Sequence, residues 1–177
     1  MNEIPQVIES RSWLNIGWKV MAGWGILNIF FSIVTPLTSL FLSAKVFTYG
    51  IEDTKFVGMS WEQIVAMSPN MGLYMVLMMV SMCAIMMSSG LLILGISKYA
   101  YRRGERWAWR WLLVSNLIQI LYYLLILFFY AKQGLYGLLG PTLSGANVGV
   151  TFIIIWAIVL YIGLWLPRKE LQKSETS

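Results

Sequence analysis

Few side chains in this sequence can do chemistry, and several of those that can share one hydrophobic stretch. Met71, Met75, Met78, Met82 and Met86 recur at steps of four, three, four and four. On a helix that spacing keeps all five within about 80° of arc. Cys83 stands four residues from both Met79 and Met87, the interval at which ligands on successive turns meet. Thioether and thiolate donors suit Cu(I), which makes Met75, Met79 and Cys83 the candidate path for a soft metal ion. Packing is the simpler account, because methionine is an adaptable gap-filler in cores. No resident cofactor is expected.

Other chemistries lack their residues. There is no histidine and only one cysteine, which excludes an intrachain disulfide and clustered Cys/His zinc sites. The Gly-rich stretch 134–145 lacks the strand–turn–helix context of a phosphate-cradling loop. No acid, lysine or arginine falls in the middle of a hydrophobic run, which argues against a proton relay or proton-coupled carrier. The polar residues inside those runs are Asn28, Asn116 and Gln119, with serines and threonines. Asn116 and Gln119 lie i, i+3 on one helix and are expected to hydrogen-bond a neighbouring helix. With Trp61 from a connecting segment they are also the candidate lining of a small polar pocket.

A second constellation is basic and aromatic. Arg102, Arg103, Arg106, Trp107, Arg110 and Trp111 crowd one turn between two apolar segments. Arg106 and Arg110 share one helical face, Trp107 and Trp111 the next. Indole rings prefer the headgroup zone of a bilayer, and arginines just outside it attract anionic lipid. Gly104 permits a tight turn, and Glu105 sits where a helix dipole favours an acid. The expected role is anchoring and topology; an anionic headgroup or a cytoplasmic partner is the sharper alternative.

The elements that position these residues follow from composition. Of 177 residues, 58% are apolar and 12% charged, against roughly 25% charged in soluble domains. The excess apolar surface must face lipid, so the basic excess reflects topology and not nucleic acid. Four spans are expected at about 18–44, 71–96, 107–130 and 148–166, each near or above the ~20 residues a crossing needs. Only helices or closed barrels can cross, and the runs are too long for barrel strands. The expected fold is all-α: a single antiparallel four-helix transmembrane bundle. Residues 1–17 form a frayed or amphipathic lead-in. Pro36 should kink the first span. Ser60 and Gln63 have capping-box spacing, which predicts an outer interfacial helix over about 60–68, anchored by Trp61 and stopped by Pro69. The connection 132–147 reads as a loop with tight turns.

Two surfaces suggest helix contacts. Ser81, Ala84, Ser88 and Gly95 form a small-residue face roughly 130° round from the methionines, of the kind that lets backbones approach. Gly145 and Gly149 have a second such spacing.

The turn YRRGERWAWRW and the upstream MSWEQIVAMSPNMGLY resemble a pattern in uncharacterised small four-span prokaryotic membrane proteins. In that pattern a W-E…P outer loop leads into the second span and an R-R-G-E-R-W-A-W turn into the third. The resemblance covers about a third of the chain; it implies a fold and carries no activity or site. The M-x-x-x-M spacing resembles the pore of copper-uptake trimers, but those have three spans and a Met-rich outer domain that this sequence lacks. The function expected is a non-enzymatic accessory or interaction subunit, its partners the bilayer with its anionic lipids and a membrane protein or a second copy. A small-molecule or lipid-binding transporter-like protein is the alternative.

Lys and Arg orient the chain. Arg11 and Lys19 flank the first span, five basic residues fill the central turn region, and three follow the fourth span, ten on one side against Lys45, Lys55 and Lys132 on the other. The positive-inside rule puts both termini and the central turn in the cytoplasm of an inner-membrane protein. Replacing Arg102, Arg103 and Arg106 together with glutamine should scramble orientation, measured with a reporter fused after Ser177. Unchanged topology would leave the turn without its main expected role.

Overall fold

The computed structural model describes residues 4–43, 45–46, 49–134 and 145–173. The described residues are 89% helical, with no strand among them. Its helices are α1 (Ile4–Leu37), α2 (Ile51–Val57), α3 (Trp61–Met67), α4 (Pro69–Tyr99), α5 (Arg106–Lys132), α6 (Gly145–Leu160) and α7 (Arg168–Lys173). Among the described residues three stretches are long and apolar enough to cross a membrane: Trp13–Leu42, Pro69–Arg103 and Arg106–Lys132. The shortest has 27 residues, about 40 Å at the helical rise, against a hydrocarbon core of about 30 Å. They overlap the apolar runs expected over 18–44, 71–96 and 107–130. The fourth expected span, 148–166, is covered by α6 and a π-helical segment, Tyr161–Trp165. The lead-in is not a separate frayed segment, because α1 begins at Ile4 and runs on into the first span.

Two prolines mark changes in the helical ladder. Pro36 lies inside α1, and the ladder just beyond it re-forms as a π-helical segment, Thr38–Ser43. Proline lacks an N–H, and the Thr38 hydroxyl donates to the carbonyls of Val34 and Thr35 at 3.0 and 2.9 Å. Both effects loosen the i→i−4 register. Pro69 was expected to end the interfacial helix. That helix does end before it, at Met67, and Pro69 is also the first residue of α4, where its missing N–H costs nothing. Ser68 is the cap, its hydroxyl accepting from the Met71 amide at 3.3 Å.

The chain divides into two compact units. One draws on the described parts of Met1–Ile29, Ser88–Gln119 and Ile155–Ser177. Its core holds Met21, Ile93, Tyr101, Ala108, Leu112, Trp156 and Leu164, all nearly inaccessible. In it α1 and α4 meet at glycines. A Cβ added at Gly90 would lie 2.9 Å from the Gly25 carbonyl oxygen, and one at Gly25 would lie 2.9 Å from that of Gly90. The small-residue face expected on Ser81, Ala84, Ser88 and Gly95 is not this contact. Ser81, Ala84 and Ser88 are exposed, and a Cβ at Gly95 would meet nothing within 4 Å. Small residues permit close approach; the partner's shape selects which of them is used.

The other unit draws on Phe30–Met87 and Ile120–Ile154. The capping box of α3 is present: the Ser60 amide donates to Gln63 Oε1 at 2.7 Å and the Gln63 amide to Ser60 Oγ at 3.3 Å. Trp61 is not an interfacial anchor, because it is buried with Tyr49, Ile64 and Val76, its ring 5.6 Å from that of Tyr49. Burial, then the Asp53 and Glu62 carboxylates, push the Tyr49 phenol above its ordinary value. It stays protonated and donates to the Met59 carbonyl at 2.7 Å. Helix α2 was not expected from the sequence. Asp53 ties its start by accepting from the Gly50 amide at 2.7 Å, and Gly58, at φ +79°, closes its end. Asp53 also accepts from the Tyr130 hydroxyl, while Phe56 stacks on the Tyr130 ring at 4.5 Å. The connection expected over 132–147 lies largely outside the described residues; Gly134, at φ +71°, closes α5.

The two glycine classes separate in a mutational test. Gly90→Ala should cost about 1–3 kcal/mol, since backbone and not a flexible side chain blocks the methyl. Gly95→Ala should be neutral or stabilising by up to about 1 kcal/mol. Thermal unfolding of both variants in detergent measures the difference, and equal midpoints would contradict the Gly25–Gly90 contact.

Candidate functional site

The most elaborated part of the molecule starts from another missing amide. Pro167 follows the π-helical segment Tyr161–Trp165, and Leu166 donates to Tyr161 five residues back at 3.1 Å. In a regular helix the Gly163 carbonyl would receive the amide of residue 167, but proline has none. The Tyr101 hydroxyl takes that place, donating to Gly163 O at 2.7 Å in a fully buried position. The indole of Trp109 donates to the next carbonyl, Leu164 O, at 2.8 Å. Around this point the backbone is closely packed. A Cβ at Gly17 would lie 2.6 Å from the Pro167 ring and 3.1 Å from the Tyr101 hydroxyl, and one at Gly163 would lie 2.7 Å from Met21 Sδ.

Tyr101 is fixed by the turn that follows it. Tyr101–Arg103 is a single 3₁₀ turn closed by Gly104 at φ +83°, whose amide returns to the Tyr101 carbonyl at 2.9 Å. Left-handed backbone at this point is what a glycine allows. Arg102 lies over the Trp18 ring at 5.1 Å, a cation–π contact, and Arg103 is exposed. The Trp107 indole donates to the Glu105 carboxylate. Trp107 and Trp111 remain 51% and 62% exposed, as rings facing a headgroup zone would be.

Arg106 and Arg110 turn to the C-terminal segment. Arg106 donates its Nε–H to the Leu171 carbonyl at 3.0 Å. Arg106, Arg110 and Arg168 then line one pocket of about 180 Å³, floored by Trp109 and Leu171. Among the described residues no carboxylate is part of that lining. Arg168 is held over the rings of Trp165 and Trp109, at 5.3 and 6.0 Å. It also borders a larger open groove of about 540 Å³, walled by Trp13, Tyr161 and Trp165 and edged by Lys169 and Glu170. Glu170 is already engaged: its two oxygens accept from the backbone amides of Trp13 and Leu14 at 3.2 and 2.9 Å. The result is a cationic, indole-lined pocket whose nearby acid is turned to the backbone.

No family model matches the chain, and neither a curated protein nor a solved structure matches it. Geometry alone therefore has to carry the functional reading.

The other residues singled out from the sequence are spread over separate surroundings. Asn116 is fully buried; it donates to Leu112 O at 2.7 Å and accepts from the Trp156 indole at 2.8 Å. Gln119 donates to Ser89 Oγ at 2.9 Å. Both make the helix contacts expected of them. Trp61 belongs to the other compact unit, in the cluster with Tyr49. On α4, Met75 packs against that same cluster, Met79 accepts from the Ser39 hydroxyl at 3.8 Å, and Cys83 is buried. Met71, Met78 and Met82 are 48–65% exposed, so the methionine arc is split between packing and surface.

Sequence reasoning gave no role of their own to Tyr101, Trp109, Gly163 or Glu170, and it treated Arg168 only as a charge. Pro167 was the available signal, since a proline just past a span leaves a carbonyl that something must satisfy. Tyr101→Phe should cost about 1–3 kcal/mol, the penalty of a buried acceptor left unpaired. Tyr101→Ala adds a cavity and should cost about 3–5 kcal/mol. Thermal midpoints in detergent measure both; a Tyr101→Phe variant as stable as the parent would mean that the Gly163 carbonyl is satisfied otherwise.

Proposed function

We propose that the protein is a non-enzymatic multi-pass protein of the inner cell membrane, acting as an accessory or interaction subunit of a larger membrane assembly. In this reading α6 and the π-helical segment after it form a fourth crossing. Their 16 and 5 residues span about 30 Å, one hydrocarbon thickness. Both termini and the Arg102–Trp111 turn lie in the cytoplasm, on the side richer in Lys and Arg.

The observation that carries the subunit role is on the second half of α5. Leu121, Tyr122, Leu124, Leu125, Ile126, Phe128 and Phe129 are each 46–68% exposed, and consecutive residues cover every side of a helix. A span that is apolar all round fits lipid or a partner helix. Tyr122, at 68% exposure, favours the partner, because a phenol in hydrocarbon needs a hydrogen-bond acceptor. Against an enzyme, the side chains gathered in the pocket are guanidiniums, which stay protonated and cannot serve as general bases. A lipid-binding role is the second reading, favoured by the aromatic groove at Trp13, Tyr161 and Trp165.

Affinity purification in mild detergent from native membranes should yield an assembly of fixed stoichiometry. Replacing Leu121, Leu125 and Phe128 with alanine should reduce its recovery at least about tenfold, the loss of roughly 1.4 kcal/mol or more of contact, with unchanged membrane abundance. A lone, monodisperse chain would refute the subunit role.

A further inference from the structure

We propose that Arg110 and Arg168, with Arg106 beside them, bind the phosphate of an anionic phospholipid, and that the groove at Trp13, Tyr161 and Trp165 takes the glycerol and upper chains of the same molecule. The inference rests on the reading of this chain as a membrane protein with the Arg102–Trp111 end at the headgroups. It does not need the subunit role.

Charge complementarity comes first. Arg106, Arg110 and Arg168 line a pocket of about 180 Å³ with no carboxylate among the described residues of its lining. A water occupies about 30 Å³ of liquid, so the space accepts several waters or one phosphodiester. The nearest acid, Glu170, has both oxygens on the amides of Trp13 and Leu14. It is therefore engaged by backbone donors, and it edges the groove and is not among the described residues that line the pocket.

Preorganisation comes second. A topogenic arginine needs no fixed geometry, yet here two are held. Arg106 is tied through Nε to the Leu171 carbonyl at 3.0 Å, and Arg168 rests over the Trp165 and Trp109 rings. Guanidinium forks fixed in this way match the paired oxygens of a phosphate, which a mobile lysine does not.

The adjoining surface then selects a lipid over a soluble phosphate ester. Arg168 borders both the pocket and the groove. The groove walls are indole and phenol rings left 44–56% exposed at Trp13, Tyr161 and Trp165. Such rings sit at the glycerol level of a bilayer, one end apolar and the other wet. A molecule with a phosphate beside an apolar body fits the pair of sites; inorganic phosphate would use only the first.

The test is native mass spectrometry of the full chain extracted in mild detergent, titrated with dioleoylphosphatidylglycerol, with dioleoylphosphatidylcholine, and with inorganic phosphate. Phosphatidylglycerol should be retained at least about tenfold better than phosphatidylcholine, and Arg110→Gln with Arg168→Gln should remove that preference. The double variant Arg110→Lys, Arg168→Lys keeps charge and guards against misfolding; it should retain an intermediate preference, because it loses the fork. Equal retention of the two lipids by the parent, or an undiminished preference in the Gln variant, would overturn the site. Displacement of phosphatidylglycerol by millimolar phosphate would overturn the lipid assignment in favour of a soluble phosphate. Recovery of the chain in the aqueous fraction would instead overturn the membrane reading itself, so the two failures are distinct.

Discussion

The hydrogen bond from Tyr101 to the Gly163 carbonyl is the interaction on which the described end of the molecule depends. It exists because Pro167 cannot donate to that carbonyl, and a buried carbonyl left unpaired is costly where no water reaches. Satisfying it from another helix, not from water, brings the 3₁₀ turn after α4 against the segment after α6. Close approach is possible because Gly17 and Gly163 carry no side chain there. Once the turn is placed, Trp109 reaches Leu164 O and Arg106 reaches Leu171 O. The elements that carry the three arginines of the pocket are thus held together by hydrogen bonds to backbone carbonyls.

Three prolines show how one residue type acts through its missing amide in three ways. Pro36 lies within α1, just before a π-helical segment, Pro69 opens α4 at the position that needs no donor, and Pro167 frees a carbonyl for a distant hydroxyl. From sequence, the first reads as a kink and the second as a stop. What each does depends on the groups around it. Ser68 is what makes Pro69 a beginning, since a serine cap satisfies the amide at the third helical position.

What could be read from the sequence was what local chemistry determines. The three long spans follow from runs of apolar residues, the capping box from Ser60 and Gln63, and the tight turn from Gly104. Long-range pairings were not readable. Small residues on α4 lie on more than one face, and only the structure distinguishes Gly90, which meets Gly25, from Gly95, which meets nothing. Trp61 looks like an interfacial anchor from its neighbours along the chain, but Tyr49 and Val76 bury it. Helix α2 was missed because seven mostly polar residues carry no periodic signal; its support comes from Tyr130, far along the chain. Of the basic turn, the sequence identified Arg106 and Arg110 but not their companion, because Arg168 is 58 residues beyond Arg110.

The composition of the turn itself separates two demands that coincide in space. Topology responds to the number of positive charges within a stretch of about 15–20 residues of a span, and lysine serves as well as arginine. Of the five basic residues from Lys98 to Arg110, four are arginines, and their side chains are not equivalent. Arg103 is exposed, as a pure topological charge can be, and Arg102 lies over Trp18. Arg106 and Arg110, one turn apart, face the same pocket as Arg168. A positive-inside signal has no need of a hydrogen bond from Nε to a carbonyl, nor of a carboxylate engaged by two backbone amides. Those features constrain where the charges point, and constraint on direction is a property of a binding surface.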